Sequence, residues 1–462
     1  MNINDTLKYL SAGLPDDIQR RKQFGDFTGA IRLIDQRLED NATPQSLRHS
    51  LQIQKLICQL LPTEFPYSKD EAIAIIRKNI PDFTEAEFDA YVDQRRIRWI
   101  YVNGEERYFN RFFSSLCKAA PGFAQRAGVK MPGVESATGG SKEDSRLDIA
   151  MKKMMSNGSM TNRIRIRATV KMKDEFFTPG MFVRAHLPIP AACQQQSDIR
   201  IEKIWPENGT IAPEDAAQRT ICWEEKLDEN HAFMVEYSYL HTARFTDAYH
   251  LTGKASDVRC DTEEILPHVV FTPYIKALCV ELTEGINDPL LKAKAFYDFI
   301  TVNMKYTFMP SYLLLDNMAE TCAKEFTGDC GIFALLFLTL CRCVGIPAQW
   351  QSGLTAEPDF IGGHDWVRFY VEPYGWIFAD PSYGTAAVRA GKESRRQFYF
   401  GNLDPYRMVA NREFFSNFSI PKEYLRADPY DNQLGEIESG DRGYFFDEYE
   451  RSKEILLCEE VL

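Results

Sequence analysis

Three residues in the second half of the chain could together carry out nucleophilic chemistry: Cys330, His364 and Asp380. In a thiol enzyme a cysteine attacks a carbonyl group, a histidine moves the proton, and a carboxylate orients the imidazole. Each residue alone is more often structural, because a buried cysteine usually behaves as a small hydrophobic side chain. All three in this order within 51 residues are a much more specific signal.

The segment after Cys330 predicts a buried helix, because its residues are apolar on nearly every side from Ile332 to Leu340. Gly345 and Pro347 then form a stop signal. Cys330 is therefore expected at the start of the helix, where free backbone N–H groups and the positive end of the dipole favour a thiolate. The same N–H groups could stabilise an oxyanion. We therefore expect the pKa of the Cys330 thiol to lie well below its usual value of about 8.5.

A β-hairpin is predicted to bring the histidine and the aspartate together. Apolar residues alternate from Val367 to Val371 on a strand that starts near His364, and a turn at 372–375 leads to a returning strand that ends at Asp380. The end of the second strand of a hairpin lies near the start of the first. A carboxylate at that position holds the tautomer of the imidazole and supports its charged form, as a thiolate–imidazolium pair requires.

The sequence pattern around these residues resembles the transglutaminase-like superfamily. That superfamily includes transglutaminases, peptide N-glycanases and bacterial thiol peptidases, and its fold is related to that of papain. The clear resemblance covers about residues 288–384, and the family usually has Arg where this chain has Gln349, a position outside the catalytic set. The motifs that carry the resemblance are G-D-C-G at 328–331, G-I-P-A-Q at 345–349, H-D-W-V at 364–367 and D-P at 380–381.

The resemblance implies a role for each residue. Cys330 attacks an amide or acyl carbonyl, His364 moves protons, and Asp380 orients the imidazole. Family members often add an aromatic or polar side chain to the oxyanion hole from a segment upstream of the nucleophile. Tyr306 is the candidate for that role here, with Tyr312 as the second choice. No cofactor and no metal ion is expected.

The other cysteines and histidines show neither a disulfide framework nor a metal-binding pattern. Cys341 and Cys343 are two residues apart on the predicted helix. Their side chains point apart there, so the pair is not expected to bind a metal ion. The 11 cysteines are odd in number and scattered, which favours reduced thiols in a cytoplasmic chain. The histidines expected to be structural are His231, His241, His250 and His268.

Length and charge limit the classes of function. A chain of 462 residues predicts two to four domains. Of the formal charge of -12, the segment 427–462 supplies -8, because it holds 11 Asp and Glu residues against 3 Lys and Arg residues. The remainder is nearly balanced, so no basic field would attract nucleic acid or an anionic membrane. No apolar run is long enough to span a membrane and no signal peptide is apparent, which again favours a cytoplasmic location and leaves the oligomeric state open.

The predicted fold class is multi-domain α+β, with a helical N-terminal region, an antiparallel β-sandwich and a papain-like transglutaminase core. Capping boxes at 68–71 and 84–87, followed by a hairpin turn at 103–104, indicate a winged-helix-like unit. From residue 64 to 111 there are 8 basic and 10 acidic residues, so packing or protein docking is favoured over DNA binding. The expected parts are a helical region at 1–132, a linker at 133–160, a β-sandwich at 161–255, a catalytic domain at 256–426 and an acidic tail at 427–462.

Three functions remain open at this stage. The favoured one is a cysteine peptidase or amidase, which forms a thioester with an amide-bearing peptide or protein and passes the acyl group to water. A transglutaminase would pass the same acyl group to an amine, but the chain has no calcium loop of the EF-hand type and no secretion signal. The third is a scaffold or binding protein that retains the fold without the activity.

Overall fold

The structure is a computed structural model that describes residues 3–120, 122–129, 145–258 and 260–461. Its first part is helical and packs directly against the α/β domain that follows later in the chain. Residues of these helices, such as Ile34 and Ile57, share one hydrophobic core with Phe337 and Phe369. The elements of this part are a 3-10 helix at Ile3–Ala12 and the helices α1 (Asp16–Gln23), α2 (Phe27–Glu39) and α3 (Gln45–Glu64).

Residues 67–129 form a smaller unit with its own hydrophobic core, which we call the N-terminal unit. Both predicted capping boxes are confirmed, at Ser68 and at Thr84. Asn103 and Gly104 both have positive φ angles (52° and 81°), as a tight hairpin turn of this sequence requires. The unit contains α4 (Lys69–Arg77), α5 (Glu85–Asp93), β1 (Trp99–Val102), β2 (Glu105–Tyr108), α6 (Phe112–Ala119) and α7 (Phe123–Arg126).

A helix occupies part of the predicted linker. Ser145 caps a helix, α8 (Arg146–Asn157), with a capping box to Asp148. The prediction of a linker is therefore wrong for residues 145–157, where a polar composition concealed a helix with Leu147, Met151 and Met154 on its buried side. Residues 130–144 lie outside the described residues.

Two four-stranded antiparallel sheets follow, in the orders β16-β4-β7-β6 and β17-β3-β8-β5. Their inward residues share one hydrophobic cluster, to which Ile166 of one sheet and Val183 and Trp223 of the other belong. The strands are β3 (Ser159–Met172), β4 (Met181–Pro188), β5 (Gln196–Trp205), β6 (Thr210–Ile211), β7 (Thr220–Leu227), β8 (Phe233–Arg244), β16 (Glu436–Ser439) and β17 (Tyr449–Glu460), with 3-10 helices at Asp174–Phe176 and Ala248–His250.

The acidic C-terminal segment is not the tail that the sequence predicted. Its two strands are edge strands of these sheets, since β16 pairs with β4 and β17 pairs with β3 over most of its length. Ile437 and Tyr449 are buried in the cluster between the sheets, while Glu450 and Glu454 face solvent. The net charge of the segment misled the prediction because it averages over two faces of a strand, and charged residues are common on exposed edges.

The α/β domain holds the predicted catalytic residues. It has a five-stranded sheet of order β14-β13-β12-β11-β15 and a short parallel pair, β9 with β10. The central helix α12 packs on strand β12, where the rings of Phe337 and Phe369 lie 5.5 Å apart. Within the described ranges, no helix combines the length and apolar character needed to cross a bilayer. The elements are α9 (Pro273–Leu282), α10 (Pro289–Asn303), β9 (Lys305–Tyr306), a 3-10 helix at Tyr312–Leu314, α11 (Met318–Glu325), β10 (Thr327–Gly328), α12 (Cys330–Cys343), β11 (Ala348–Glu357), β12 (Phe360–Val371), β13 (Gly375–Ala379), α13 (Pro381–Arg389), α14 (Glu393–Phe398), β14 (Phe400–Gly401) and β15 (Arg407–Asn411).

The role of the C-terminal segment can be tested by substitution of one buried residue. We expect Ile437→Ala to lower the free energy of unfolding by about 2–5 kcal/mol, because it opens a cavity between the two sheets. Urea unfolding followed by tryptophan fluorescence measures this change. Glu454→Gln in the same segment is the control and should change stability little, since its ion pair with Arg167 is exposed. Equal, small effects would mean that the segment is a detached tail after all.

Candidate active site

Cys330 is the first residue of helix α12, as the sequence predicted. Asp329 precedes it as the N-cap and accepts a hydrogen bond from the backbone N–H of Ile332 at 3.2 Å. The hydroxyl of Tyr312 donates to the same carboxylate oxygen at 2.6 Å. Cys330 itself is half-buried. The thiol therefore lies at a helix start whose geometry is held by the preceding carboxylate.

His364 and Asp380 are in direct contact, which confirms the predicted hairpin. Val367 of β12 pairs with Ala379 of β13, and Asp380 is the residue immediately after β13. The distance between His364 Nε2 and Asp380 Oδ2 is 2.7 Å, and both side chains are buried. With Nε2 engaged by the carboxylate, Nδ1 is the imidazole nitrogen that can accept a proton from another group.

Asp380 has further partners that the sequence did not reveal. Arg407 Nη1 forms an ion pair with Asp380 Oδ2 at 2.9 Å, and the backbone N–H of Tyr383 donates to Oδ1 at 2.9 Å. Burial raises the pKa of Asp380, but the charges of His364 and Arg407 outweigh it and hold the pKa below its usual value. The carboxylate is therefore ionised at neutral pH. No local motif marks Arg407, because it reaches the site only through the pairing of β15 with β11.

The surroundings of Cys330 do not favour a thiolate in the resting protein. Burial raises the pKa of the Cys330 thiol well above its usual value, and the carboxyl groups of Asp365 and Asp329 raise it further, while Lys118 lowers it. Burial also lowers the pKa of His364, against the opposing effect of Asp380. The expectation of a low cysteine pKa is therefore wrong. The helix start was visible in the sequence, but the buried carboxyl groups were not.

The nucleophile and the base are not joined in this state. In the part of the chain that the structure describes, no hydrogen bond links Cys330 to His364; the thiol interacts instead with the carboxyl group of Asp365, the neighbour of His364 on β12. The opposing directions of the two pKa shifts make a neutral thiol and a neutral imidazole the resting pair.

Asp365 belongs to a buried polar cluster that the sequence analysis missed. Burial raises its pKa well above the usual value, and the nearby charge and hydrogen bond of Asp431 add to that effect. Gln433 Nε2 donates to Asp365, and Asn411 Nδ2 donates to Asp431 at 2.7 Å. Burial and the second carboxyl group therefore both act against the ionised form of Asp365. Its position directly after the histidine was the only available signal.

Both candidate tyrosines lie beside the nucleophile. The ring of Tyr306 packs against Phe333 of α12 with centroids 6.4 Å apart, and its hydroxyl accepts a hydrogen bond from Lys118 Nζ at 3.2 Å. The Tyr312 hydroxyl lies 2.1 Å from the position that a Cβ atom on residue 331 would occupy, which explains the glycine there. The hydroxyl of Tyr312 donates its proton to Asp329, whereas the hydroxyl of Tyr306 accepts from Lys118.

Each of the four histidines expected to be structural is either buried or close to a carboxylate. His268 and His241 are buried, and burial lowers their pKa values to about 3 and about 4. His250 Nδ1 lies 2.7 Å from Asp247 Oδ1, and His231 Nε2 lies 3.5 Å from Glu225 Oε2. All 11 cysteines are free thiols. Among the described residues, no group of three His, Cys, Asp or Glu side chains is arranged to hold a metal ion.

Comparison with known families agrees with this geometry. The model of the transglutaminase-like superfamily matches residues 276–381, a range that contains Cys330, His364 and Asp380. The chain contains a transglutaminase-like domain. The match begins within α9 and ends at the first residue of α13, so it includes the central helix and the hairpin but neither the N-terminal unit nor the paired antiparallel sheets.

Solved structures similar to the chain are more distant. They include a candidate cysteine protease from Cytophaga hutchinsonii, with 15% identity, a TM-score of 0.41 and coverage of 66% of this chain and 91% of that chain. The periplasmic domain of TgpA from Pseudomonas aeruginosa has 14% identity, a TM-score of 0.28 and coverage of 54% and 96%. Scores this low establish no common fold, so the assignment of the transglutaminase-like domain depends on the family match. Comparison with curated proteins gives no sequence match.

The pKa directions predict the pH dependence of Cys330 reactivity. Because the thiol pKa is raised, the rate of alkylation by iodoacetamide should keep rising as the pH passes 8.5 instead of reaching a plateau near neutrality. Peptide-resolved mass spectrometry at a series of pH values measures the rate for each cysteine. A plateau of the Cys330 rate below pH 8 would contradict the electrostatics described here.

Proposed function

We propose that the chain is a thiol hydrolase that cleaves amide bonds in a peptide or protein through a thioester on Cys330. One observation carries the proposal: the buried contact of 2.7 Å between His364 Nε2 and Asp380 Oδ2, formed in the same family-matched domain that places Cys330 at the start of α12. The contact orients the imidazole and leaves Nδ1 as the basic nitrogen.

The reaction begins from a neutral thiol. As a substrate enters, His364 Nδ1 accepts the proton of Cys330 while the sulfur attacks the amide carbonyl carbon. Such catalytic hydrogen bonds are often long in the free enzyme and tighten when substrate binds. The negative charge that develops on the carbonyl oxygen is stabilised by backbone N–H groups in the first turn of α12 and by the Tyr306 hydroxyl.

Collapse of this intermediate breaks the carbon–nitrogen bond. His364 returns its proton to the leaving amine, and the acyl group remains on Cys330 as a thioester. His364 then accepts a proton from water as the water oxygen attacks the thioester carbon. The carboxylic acid leaves, and the proton returns to the Cys330 sulfur. Asp380 stabilises the imidazolium formed in both halves of the reaction, and Arg407 keeps Asp380 ionised.

Hydrolysis is favoured over transfer to an amine by the limited access to the nucleophile. Cys330 is half-buried, and α6 of the N-terminal unit lies over the adjacent strand β9. Water can approach a thioester in such a site, whereas a lysine side chain would need a second opening of its own width.

The complete set of buried partners around Asp380 also supports an enzyme over a non-catalytic scaffold, since a scaffold has no need to keep an ionised carboxylate at the imidazole.

The architecture around the catalytic domain is part of the same proposal. The two facing sheets are proposed to be a β-sandwich, and the order of helices and hairpin in the N-terminal unit is proposed to be winged-helix-like. Both are proposed to pack against the catalytic domain rather than to bind nucleic acid.

The type of acyl acceptor can be measured directly. The protein is incubated with a glutamine-bearing peptide library in the presence and absence of excess lysine-like primary amine, and the products are resolved by mass spectrometry. We expect cleaved or deamidated peptides in both conditions and none with Cys330→Ala. A product that carries the amine in most turnovers would identify a transferase, and identical product patterns for both proteins would support a scaffold.

The two residues behind the nucleophile should differ in their effects. His364→Ala should lower kcat by about 10²–10⁴-fold, because it removes the general base. Asp380→Asn should cost about ten- to a hundredfold, the equivalent of one charge-assisted hydrogen bond of about 1.5–3 kcal/mol. Circular dichroism confirms that each variant is folded. Slight and equal effects of the two changes would place the active site elsewhere.

A further inference from the structure

The N-terminal unit packs against both short strands that lead to the nucleophile. Ser115 Oγ accepts a hydrogen bond from the backbone N–H of Phe308, just after β9, at 3.0 Å. Arg98 Nη1 donates to Thr327 Oγ1 on β10 at 3.1 Å. Because β9 and β10 pair directly, with Gly328 opposite Tyr306, the unit holds the segment that ends at Cys330. The family match includes none of the residues of this unit.

One side chain of the unit reaches the catalytic centre. Lys118 is at the end of α6, and its ammonium group lies 4.4 Å from the centre of the Tyr306 ring and 5.1 Å from that of Phe308. Tyr306 in turn packs on Phe333 in the first turn of α12. Lys118 is thereby placed next to the start of the helix that carries Cys330. No salt bridge among the described residues involves Lys118, whose neighbours are aromatic rings and the Tyr306 hydroxyl.

The charges around the Cys330 thiol indicate how the ammonium group of Lys118 acts on it. A thiolate on Cys330 would face the carboxyl groups of Asp365 and Asp329, both of which oppose its formation. Lys118 lowers the pKa of the Cys330 thiol. Burial lowers the pKa of Lys118 itself, and the interaction with Cys330 raises it in turn. An unpaired ammonium group in a poorly solvated site interacts strongly with a nearby anion. Lys118 thus supplies a compensating charge, and it comes from outside the domain that the family model matches.

We propose that Lys118 is a positioning residue of the active site, whose ammonium group is delivered by the N-terminal unit to hold the negative charge of the Cys330 sulfur as it forms. The inference rests on the proposed function, in which that sulfur is the nucleophile. It also means that the N-terminal unit is part of the active centre and not a separable docking module.

Alkylation of the full-length chain by iodoacetamide, an uncharged reagent, tests the proposal without any substrate. Lys118→Met should slow the alkylation of Cys330 at pH 7.5 by about tenfold or more, because the loss of a neighbouring cation raises a thiol pKa by about one unit or more. Lys118→Arg should restore most of the rate. The other cysteines, followed in the same digest, should react as in the wild type.

Lys305→Met is the matched control. Lys305 Nζ donates to the backbone carbonyl of Gln94 at 3.0 Å, so this change removes a contact between the same unit and β9 without removing a charge that acts on the thiol. It should leave the Cys330 rate near that of the wild type. The proposal is overturned if Lys118→Met reacts at the wild-type rate, or if Lys305→Met slows Cys330 equally. Should Lys118→Met fail to fold, Lys118→Gln is judged by the same two criteria.

This test separates the inference from the proposed function. If Cys330→Ala keeps full amide-cleaving activity while Lys118→Met slows alkylation, the proposed function is wrong and the electrostatic role of Lys118 stands. If turnover depends on Cys330 but the alkylation rate does not depend on Lys118, the proposed function stands and the role of Lys118 is wrong.

Discussion

The carboxylate of Asp380 is buried, and everything at the candidate site depends on how its charge is satisfied. An isolated carboxylate in such a place would take up a proton, because transfer of an ion out of water costs several kcal/mol even after relaxation. Asp380 stays ionised because His364, Arg407 and a backbone N–H surround it. These partners come from β12, β15 and α13, so the imidazole is oriented only when the sheet and its helices are assembled.

Arg407 shows how far this constraint extends. It is fully buried, it is also paired with Asp404, and its guanidinium group lies 4.4 Å from the centre of the Tyr383 ring. A guanidinium group presents a planar set of donors and stacks on aromatic faces, so it can meet a carboxylate and a ring at once. The charges of Asp380 and Arg407 thus compensate each other, and the base is held by a network with no solvent-exposed member.

The same burial shapes the chemistry of the nucleophile. Burial disfavours a charged sulfur at Cys330, and the carboxyl groups of Asp365 and Asp329 raise the pKa of its thiol further. In the proposed reaction, charge separation between the sulfur and the imidazole therefore occurs only as the thiol attacks. The proposed role of Lys118 and the helix start would both make this separation less unfavourable.

Both ends of the chain contribute to this environment. Asp431 belongs to the acidic C-terminal segment, yet it contacts Asp365 beside the thiol. Lys118 belongs to the N-terminal unit, yet it contacts Tyr306, whose ring packs on the helix that begins at Cys330. The domain matched by the family thus holds the centre of the candidate site, and segments distant in sequence contribute to its electrostatics.

Local features were readable from the sequence because they depend on neighbours along the chain. The position of Cys330 at a helix start follows from a Gly-Asp-Cys turn before an apolar run, and the contact of His364 with Asp380 follows from the register of one hairpin. Arg407, Asp365, Asp431 and Lys118 were not predicted as site residues, and the C-terminal strands were taken for a tail. Each of these features depends on contacts between residues far apart in sequence. The pKa of a thiol is set by contacts of the same kind, because it depends on burial and on charges brought close by the fold. The sequence by itself determined which residues could act; only the tertiary structure decided in which protonation states they are held.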